Sequence, residues 1–301
     1  MIHGTKKIKA VCFGEVLWDV FPTHKKIGGA PLNVALRLQS FGAEVSLISI
    51  VGQDVAGEEL LSYLSAQGLS TALIQKTAHY PTGTVQVTLN EKGNASYEIV
   101  HPVAWDFIRF EDLSMVEKMV AEADIFVFGS LSVRDAVSRQ TLLQLLQNKS
   151  VFKVFDVNLR KPHYSFEILE LLMQEADFIK LNDEELLEIC RHLGSSHHSF
   201  EQNIRFLSQH TQTAQLCVTK GPFGAVLYRD EQFYYNSGYF ITVVDTVGAG
   251  DSFLAALLFT LFSGKTAQES LNFACAVGAL VAGSEGANPV LSSERIADFM
   301  Q

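Results

Sequence analysis

The sequence has no close cysteine pair, no long apolar run and no surplus of positive charge, and each absence removes a class of protein. Its four cysteines, Cys12, Cys190, Cys217 and Cys275, are far apart and form no C-x-x-C pair. In a chain of 301 residues this points to free, buried thiols in a reducing compartment, not to a disulfide scaffold. The most apolar stretch, residues 253–262, is too short to cross a bilayer as a helix. Lys6, Lys7 and Lys9 precede the apolar run AVCFGEVLWDV, but Glu15 and Asp19 interrupt it, so a first buried strand explains it better than a signal peptide and a cytoplasmic location is expected. A formal net charge of −10 argues against a nucleic-acid or anionic-membrane surface as a partner.

Two nucleotide signatures are also missing. Gly264-Lys265-Thr266 would end a P-loop only if a glycine stood five positions before Gly264, where Phe259 stands. Gly248-Ala249-Gly250 lacks the third glycine of a dinucleotide fingerprint, because Phe253 is there. A nicotinamide-dependent oxidoreductase is therefore not expected. His192, His197 and His198 lie near Cys190, but in a Gly/Ser-rich loop without regular ligand spacing, which reads as a solvated loop and not a metal centre.

What is present is ordinary globular material, 48% hydrophobic and 19% charged, in a strand–helix rhythm. IKAVCFGEVLW (8–18) reads as a buried strand, GGAPLNVALRLQSFGA (28–43) as a helix with Pro31 in its first turn, then VSLISIVG as a strand and GEELLSYLSAQG as a helix. Residues 71–101 break the rhythm: TGTVQVTLN and ASYEIV alternate apolar and polar residues around EKGN, as a two-stranded flap outside the main sheet would. Strands and helices then alternate again, with strands DIFVF, VFKVFDV and DFIKL, and a helix opens at Asp183. Residues 215–235 read as two or three antiparallel-type strands, QLCVTK, GAVLYR and QFYY, and helices follow over 251–263, about 267–282 and 293–300. The pattern predicts one α/β domain with a mostly parallel sheet.

Residues 243–253, VVDTVGAGDSF, are the stretch with most chemical content. A β-branched strand end runs into small residues, and an acid opens an apolar helix. Backbone N–H groups of Gly248, Ala249 and Gly250 at a helix N-terminus make an anion site, and Asp251 is either a base beside it or merely a helix-start acid. Three other segments end strands, where open α/β sheets bind ligands. In NDEE, Asn182 and Glu185 suit a capping box, which explains them as well as a ligand role does. In DVNLR, Arg160 could reach an anion, and TKGPFG is either a plain hairpin or a loop that hugs a nucleotide.

Taken together, these segments resemble the ribokinase-like (PfkB) carbohydrate kinases over nearly the whole chain. GGAPLNVALRLQSFGA resembles that family's N-terminal motif and DTVGAGDSF its C-terminal one; VGQDVAGEELLSYLSAQGLST, DVNLRKP, KLNDEELLEI and VTKGPFGAVLY fall between them in the family's order. GEVLWDVFP, HPVAWDFI and DVNLR look most like fructokinases. The resemblance implies a three-layer α/β/α sandwich with a small β lid, approximately 19–27 and 72–108, and transfer of the γ-phosphoryl group of ATP to a sugar hydroxyl. It makes Asp251 the base, Gly248, Ala249 and Gly250 the anion hole, and Arg160 a partner of the transferred phosphate. Asn182 and Glu185 would organise Mg²⁺ through water, while Thr219, Gly221, Gly224 and Cys275 would border ATP. Asp19, Gly28, Gly29 and Asn33 would bind the sugar, with the lid as a candidate homodimer interface. Asp245, Val247, Val281, Ser284 and Gly286 match a site for a monovalent cation such as K⁺, with Val290 standing where some relatives have a serine. Val247 and Val157 replace the more usual Thr and Pro of the family's motifs. The expected acceptor is fructose; the alternatives are 2-keto-3-deoxygluconate, ribose or a nucleoside, or a catalytically silent sugar-binding regulator.

Overall fold

The computed structural model describes residues 7–89 and 95–301. In chain order the elements are β1 (Lys9–Phe13), β2 (Leu17–Val20), β3 (Lys25–Gly28), α1 (Ala30–Ser40), β4 (Glu44–Gly52), α2 (Val55–Ala66), β5 (Ile74–Thr77), β6 (Gly83–Leu89) and β7 (Ala95–Ile99). They continue with α3 (Ser114–Ala121), β8 (Ile125–Gly129), α4 (Ala136–Leu145), β9 (Phe152–Asp156), α5 (Phe166–Gln174), β10 (Phe178–Asn182), α6 (Asp183–His192) and α7 (Phe200–Thr211). The last are β11 (Gln215–Thr219), β12 (Ala225–Arg229), β13 (Gln232–Asn236), α8 (Ala249–Phe262), α9 (Ala267–Ala282) and α10 (Ser293–Phe299).

Nine strands form one sheet in the order β13-β12-β11-β10-β9-β8-β1-β4-β5, parallel from β11 through β5. The strands are apolar on both sides because helices cover both faces. In β1, Ala10 and Cys12 face the layer holding Leu32, Leu60, Leu257 and Val277, while Val11 and Phe13 face the layer of Leu142, Leu172, Leu186 and Leu207. The result is the expected three-layer sandwich. From β1 the chain adds β4 and β5 on one side and β8 onward on the other, so the topological switch lies between β1 and β8. Ligand crevices of open α/β sheets form at the carboxyl ends of the strands at such a switch.

A four-stranded sheet, β3-β2-β6-β7, forms the lid. Several local expectations need correction. The run 8–18 is two strands, since Gly14, at φ 147°, ends β1 and Leu17 starts β2 in the other sheet. The flap does not begin at residue 71: Ile74–Thr77 pairs with β4 as an edge of the main sheet, because Ile74 fills that core. Of the two or three antiparallel-type strands read over 215–235, β12 and β13 are antiparallel to their neighbours in the main sheet, while β11 is parallel to β10 and antiparallel to β12. The helix α7, capped by Ser199, was not expected from a stretch whose polar residues masked its Ile204–Leu207 stripe. The EKGN connection lies outside the described residues.

Candidate active site

The N-terminal turns of α1, α6 and α8 carry the candidate residues Asn33, Asn182 with Glu185, and Asp251. The α8 N-terminus carries the small-residue loop: Gly248 is its N-cap in left-handed conformation, φ 75°, and any Cβ there would fall against Ala287. Only glycine fits this turn comfortably. Asp251 follows in the first turn and accepts a 2.8 Å hydrogen bond from Asn33 Nδ2, while Asn288 Nδ2 donates to Asn33 Oδ1 at 2.8 Å. Helix α1 is clamped beside α8 by Arg37, whose guanidinium donates to Ser252 Oγ at 3.1 Å and to the Pro289 carbonyl at 3.0 Å. The sequence therefore brings Asn33 and Asp251, 218 positions apart, into one unit.

Burial pushes the Asp251 carboxyl up to about 6; Asp156 adds to the rise, and Lys180, the Asn33 bond and Arg160 oppose it. That is a useful value for a group that must take a proton near neutral pH. Lys180 was not singled out from the sequence. It is buried on β10, donates to Asp156 Oδ1 at 2.9 Å, and a Cβ on Gly250 would lie 3.3 Å from its Nζ. Burial pulls its ammonium down, but Asp156, Glu185 and Asp251 more than offset that and hold it charged. A positive group thus stands against the Gly248–Gly250 loop.

Asn182 and Glu185 form the anticipated capping box at α6: Glu185 N–H donates to Asn182 Oδ1 and Asn182 N–H to Glu185 Oε2, both at 2.8 Å. Glu185 does more than cap. Its Oε1 accepts the Leu159 N–H at 2.8 Å, tying the DVNLR loop to the NDEE turn. Burial pushes Glu185 up, against Lys180 and these two N–H donors. Among the described residues no group of three or more His, Cys, Asp or Glu could ligate a metal directly. His192 instead stacks on Phe166, with ring centroids 3.6 Å apart.

A cavity of about 660 Å³ lies on the other side of the α8 N-terminus. Thr219, Gly221, Gly224 and Cys275 line it, together with Ala249, Gly250, Phe253 and Gly278, so the four residues expected on the nucleotide side share one chamber with the small-residue loop. The size is that of a drug-sized or cofactor-sized ligand. On the opposite side, Asp19 on β2 stands near Gly28, while Gly29 packs directly on the Glu15 carbonyl. Burial pushes Asp19 up to about 6, with Arg160 and Lys26 opposing and Asp245 assisting. Arg160 is exposed on its loop, where it donates to the Leu159 carbonyl at 3.0 Å, and its charge lowers the pKa values of Asp19, Glu15 and Asp251.

Glu15 was noticed in the sequence only as an interruption of an apolar run. It is 3% exposed, with Oε1 accepting the Ala30 N–H at 3.3 Å and Oε2 unpartnered. Burial raises its pKa to about 7. Asp156 Oδ2 is likewise buried without a partner, and both residues line a cavity of about 10 Å³; Asn288 Oδ1, beside Asn33, is a further buried orphan.

The residues matched to a cation site are also close together. Val244 and Asp245 N–H both donate to the Ala282 carbonyl, and Gly286 N–H donates to Asp245 Oδ2 at 3.3 Å. The Asp245 carboxylate is not free, however: Val247 N–H donates to Oδ1 at 3.0 Å and the Lys26 ammonium to Oδ2 at 3.1 Å. Val290 is 92% exposed and offers no side-chain oxygen.

The pfkB family carbohydrate kinase profile matches residues 3–294. The chain belongs to that family. It is 32% identical to a sugar kinase of Pyrococcus horikoshii over 250 residues, covering 80% of this chain and 75% of the relative. The crystal structure of that sugar kinase in complex with ATP superimposes with a TM-score of 0.83 at 28% identity, covering 98% of this chain and 100% of the other. A fructokinase of Solanum tuberosum is 28% identical, with 94% of this chain and 92% of the relative covered. The aminoimidazole riboside kinase of Salmonella typhimurium is also 28% identical, with 97% and 98% covered. This carbohydrate kinase thus has relatives named for different acceptors, and no helix among its described residues is long and apolar enough to cross a membrane.

Proposed function

We propose that this carbohydrate kinase transfers the γ-phosphoryl group of ATP to a sugar hydroxyl, with fructose as acceptor and fructose 6-phosphate as product. The observation that carries the reading is the junction at α8, where Asp251, held by Asn33, the Gly248–Gly250 loop and Lys180 meet beside a chamber of about 660 Å³. Asp251 is the base: it removes the proton as the sugar oxygen forms its bond to the γ-phosphorus and the bond from that phosphorus to ADP breaks. The proton then rests on Asp251. The Gly248 and Gly250 N–H groups and Lys180 hold the equatorial phosphoryl oxygens, the Ala249 N–H already donating to the Thr246 carbonyl at 3.2 Å, and Arg160 closes on them from the DVNLR loop. Phosphoryl transfer needs this alignment and charge placement more than covalent chemistry. Asn33 orients Asp251 and, with Asp19, takes sugar hydroxyls, while Gly28 and Gly29 let the sugar approach the backbone. Thr219, Gly221, Gly224 and Cys275 border the nucleotide.

Asn182 and Glu185 suit a hydrated Mg²⁺ and not a directly ligated one, since both Glu185 oxygens already accept backbone N–H groups and magnesium keeps several waters. Bound there, the ion would supply positive charge to the ATP phosphates. The Asp245 set fits potassium less well, because its carboxylate oxygens already accept from the Val247 and Gly286 N–H groups and from Lys26. We further propose a cytoplasmic enzyme that pairs through its lid, where Tyr97 exposes its ring on β7; light scattering in solution tests the pairing.

A second reading, a longer acceptor such as 2-keto-3-deoxygluconate or a nucleoside, is favoured by a pocket of about 330 Å³ beyond Ser130. His101, Arg134, His163 and Tyr164 line it. Coupled ADP detection across fructose, ribose, 2-keto-3-deoxygluconate and nucleosides decides between them. Fructose should give the highest kcat/KM; a longer acceptor ranking first would replace it.

A further inference from the structure

We propose that Lys26 is a positioning residue that ties the acceptor-binding lid to the phosphoryl-binding loop; the role rests on the kinase reading above. On β3, successive side chains point to opposite faces. Lys25 lies over the Trp18 ring and bonds Glu59, whereas Lys26 reaches across 219 positions to Asp245 Oδ2 at 3.1 Å. Lys26 is the register partner of Asp19 on β2, so the lysine and the acceptor-binding aspartate share the face turned toward the crevice. Asp245 is the first residue of DTVGAGD, and its carboxylate also accepts the Val247 and Gly286 N–H groups. One carboxylate therefore shapes the turn leading to Gly248–Gly250 and receives the lid's ammonium.

The pair is partly exposed, with side chains 40% and 21% accessible, so it is weak and salt-sensitive and can break and re-form in each cycle. Its effect is on where β2 and β3 rest. With Lys26 seated on Asp245, Asp19 is held over the sugar and water is kept from the γ-phosphorus. Without it, the lid seats less often, acceptor binding weakens, and water takes the place of the sugar hydroxyl. In that side reaction the water oxygen bonds the γ-phosphorus, the bond to ADP breaks, and the water's proton leaves to Asp251, giving ADP and inorganic phosphate.

The test compares Lys26→Met and Lys26→Arg with the unaltered protein. Lys26→Met should raise the acceptor KM about two- to fivefold, the scale of a partly exposed pair, with kcat little changed. It should also raise sugar-independent ATP hydrolysis and speed amide exchange over residues 17–28, and Lys26→Arg should restore all three. A Met variant matching the unaltered protein in KM, hydrolysis and exchange overturns the proposal, as does an Arg variant as impaired as Met. If the unaltered protein phosphorylates no acceptor, the kinase reading fails, and the exchange measurement still judges the lid contact by itself.

Discussion

Replacing Asn33 with leucine isolates the electrostatic control of Asp251. The side chains are close in size, but leucine removes the 2.8 Å donor to Asp251 Oδ2 and the acceptor of Asn288. A hydrogen bond to a charged group contributes about 1.5–3 kcal/mol, and a pKa unit is about 1.4 kcal/mol, so losing it lifts Asp251 by about one to two units. From about 6, the midpoint moves to between roughly 7 and 8. The ionised fraction at pH 7 then falls from about nine-tenths to between about one-half and one-tenth. The assay is kcat/KM for the acceptor against pH from about 5 to 9, with ATP saturating, because that ratio reports ionisations of the free enzyme. Lost sugar contacts lower the whole curve without moving it, so the position of the acid limb is the readout. A limb that stays where it is in the unaltered enzyme refutes the assignment of Asn33 as a group that, with Lys180, holds Asp251 ionised.

Two further outcomes follow from the same geometry. Gly248→Ala places a Cβ against Ala287 at φ 75°, so turnover should drop by an order of magnitude or more while the far-UV spectrum is kept; unchanged turnover would show that the loop is not the anion hole. Glu15 titrates at about 7 when folded against an ordinary 4.5, so its contribution to stability is full below 4.5 and lost as pH rises through 7. Glu15→Gln should therefore raise Tm at pH 8, by the equivalent of roughly 1–3 kcal/mol, and change it little at pH 4.5. Equal shifts at both values would contradict a buried, strained carboxylate.

The layers and the α8 loop were legible because their signals are local: apolar runs bounded by glycine, and small residues before an acid. The family resemblance added the order of the motifs, and in the structure Asn33 bonds Asp251 while Cys275 and Thr219 line one cavity. What stayed hidden is carried by side chains whose meaning depends on distant partners. Lys180 reads as a blemish in an apolar strand until Asp156 and Gly250 stand beside it. Glu15 breaks an apolar run, and only the fold sets it under the α1 N-terminus beside the crevice. Ile74–Thr77 was absorbed into the flap because a four-residue edge strand has too short a period to separate from the hairpin that follows.

The most direct measurement is single-turnover phosphoryl transfer by Asp251→Asn, with nucleotide binding measured alongside. The account predicts undiminished ATP affinity and a transfer rate lower by about a hundredfold to ten-thousandfold, the range for loss of a positioned base. A variant that binds ATP and still transfers phosphate at near the original rate would contradict it.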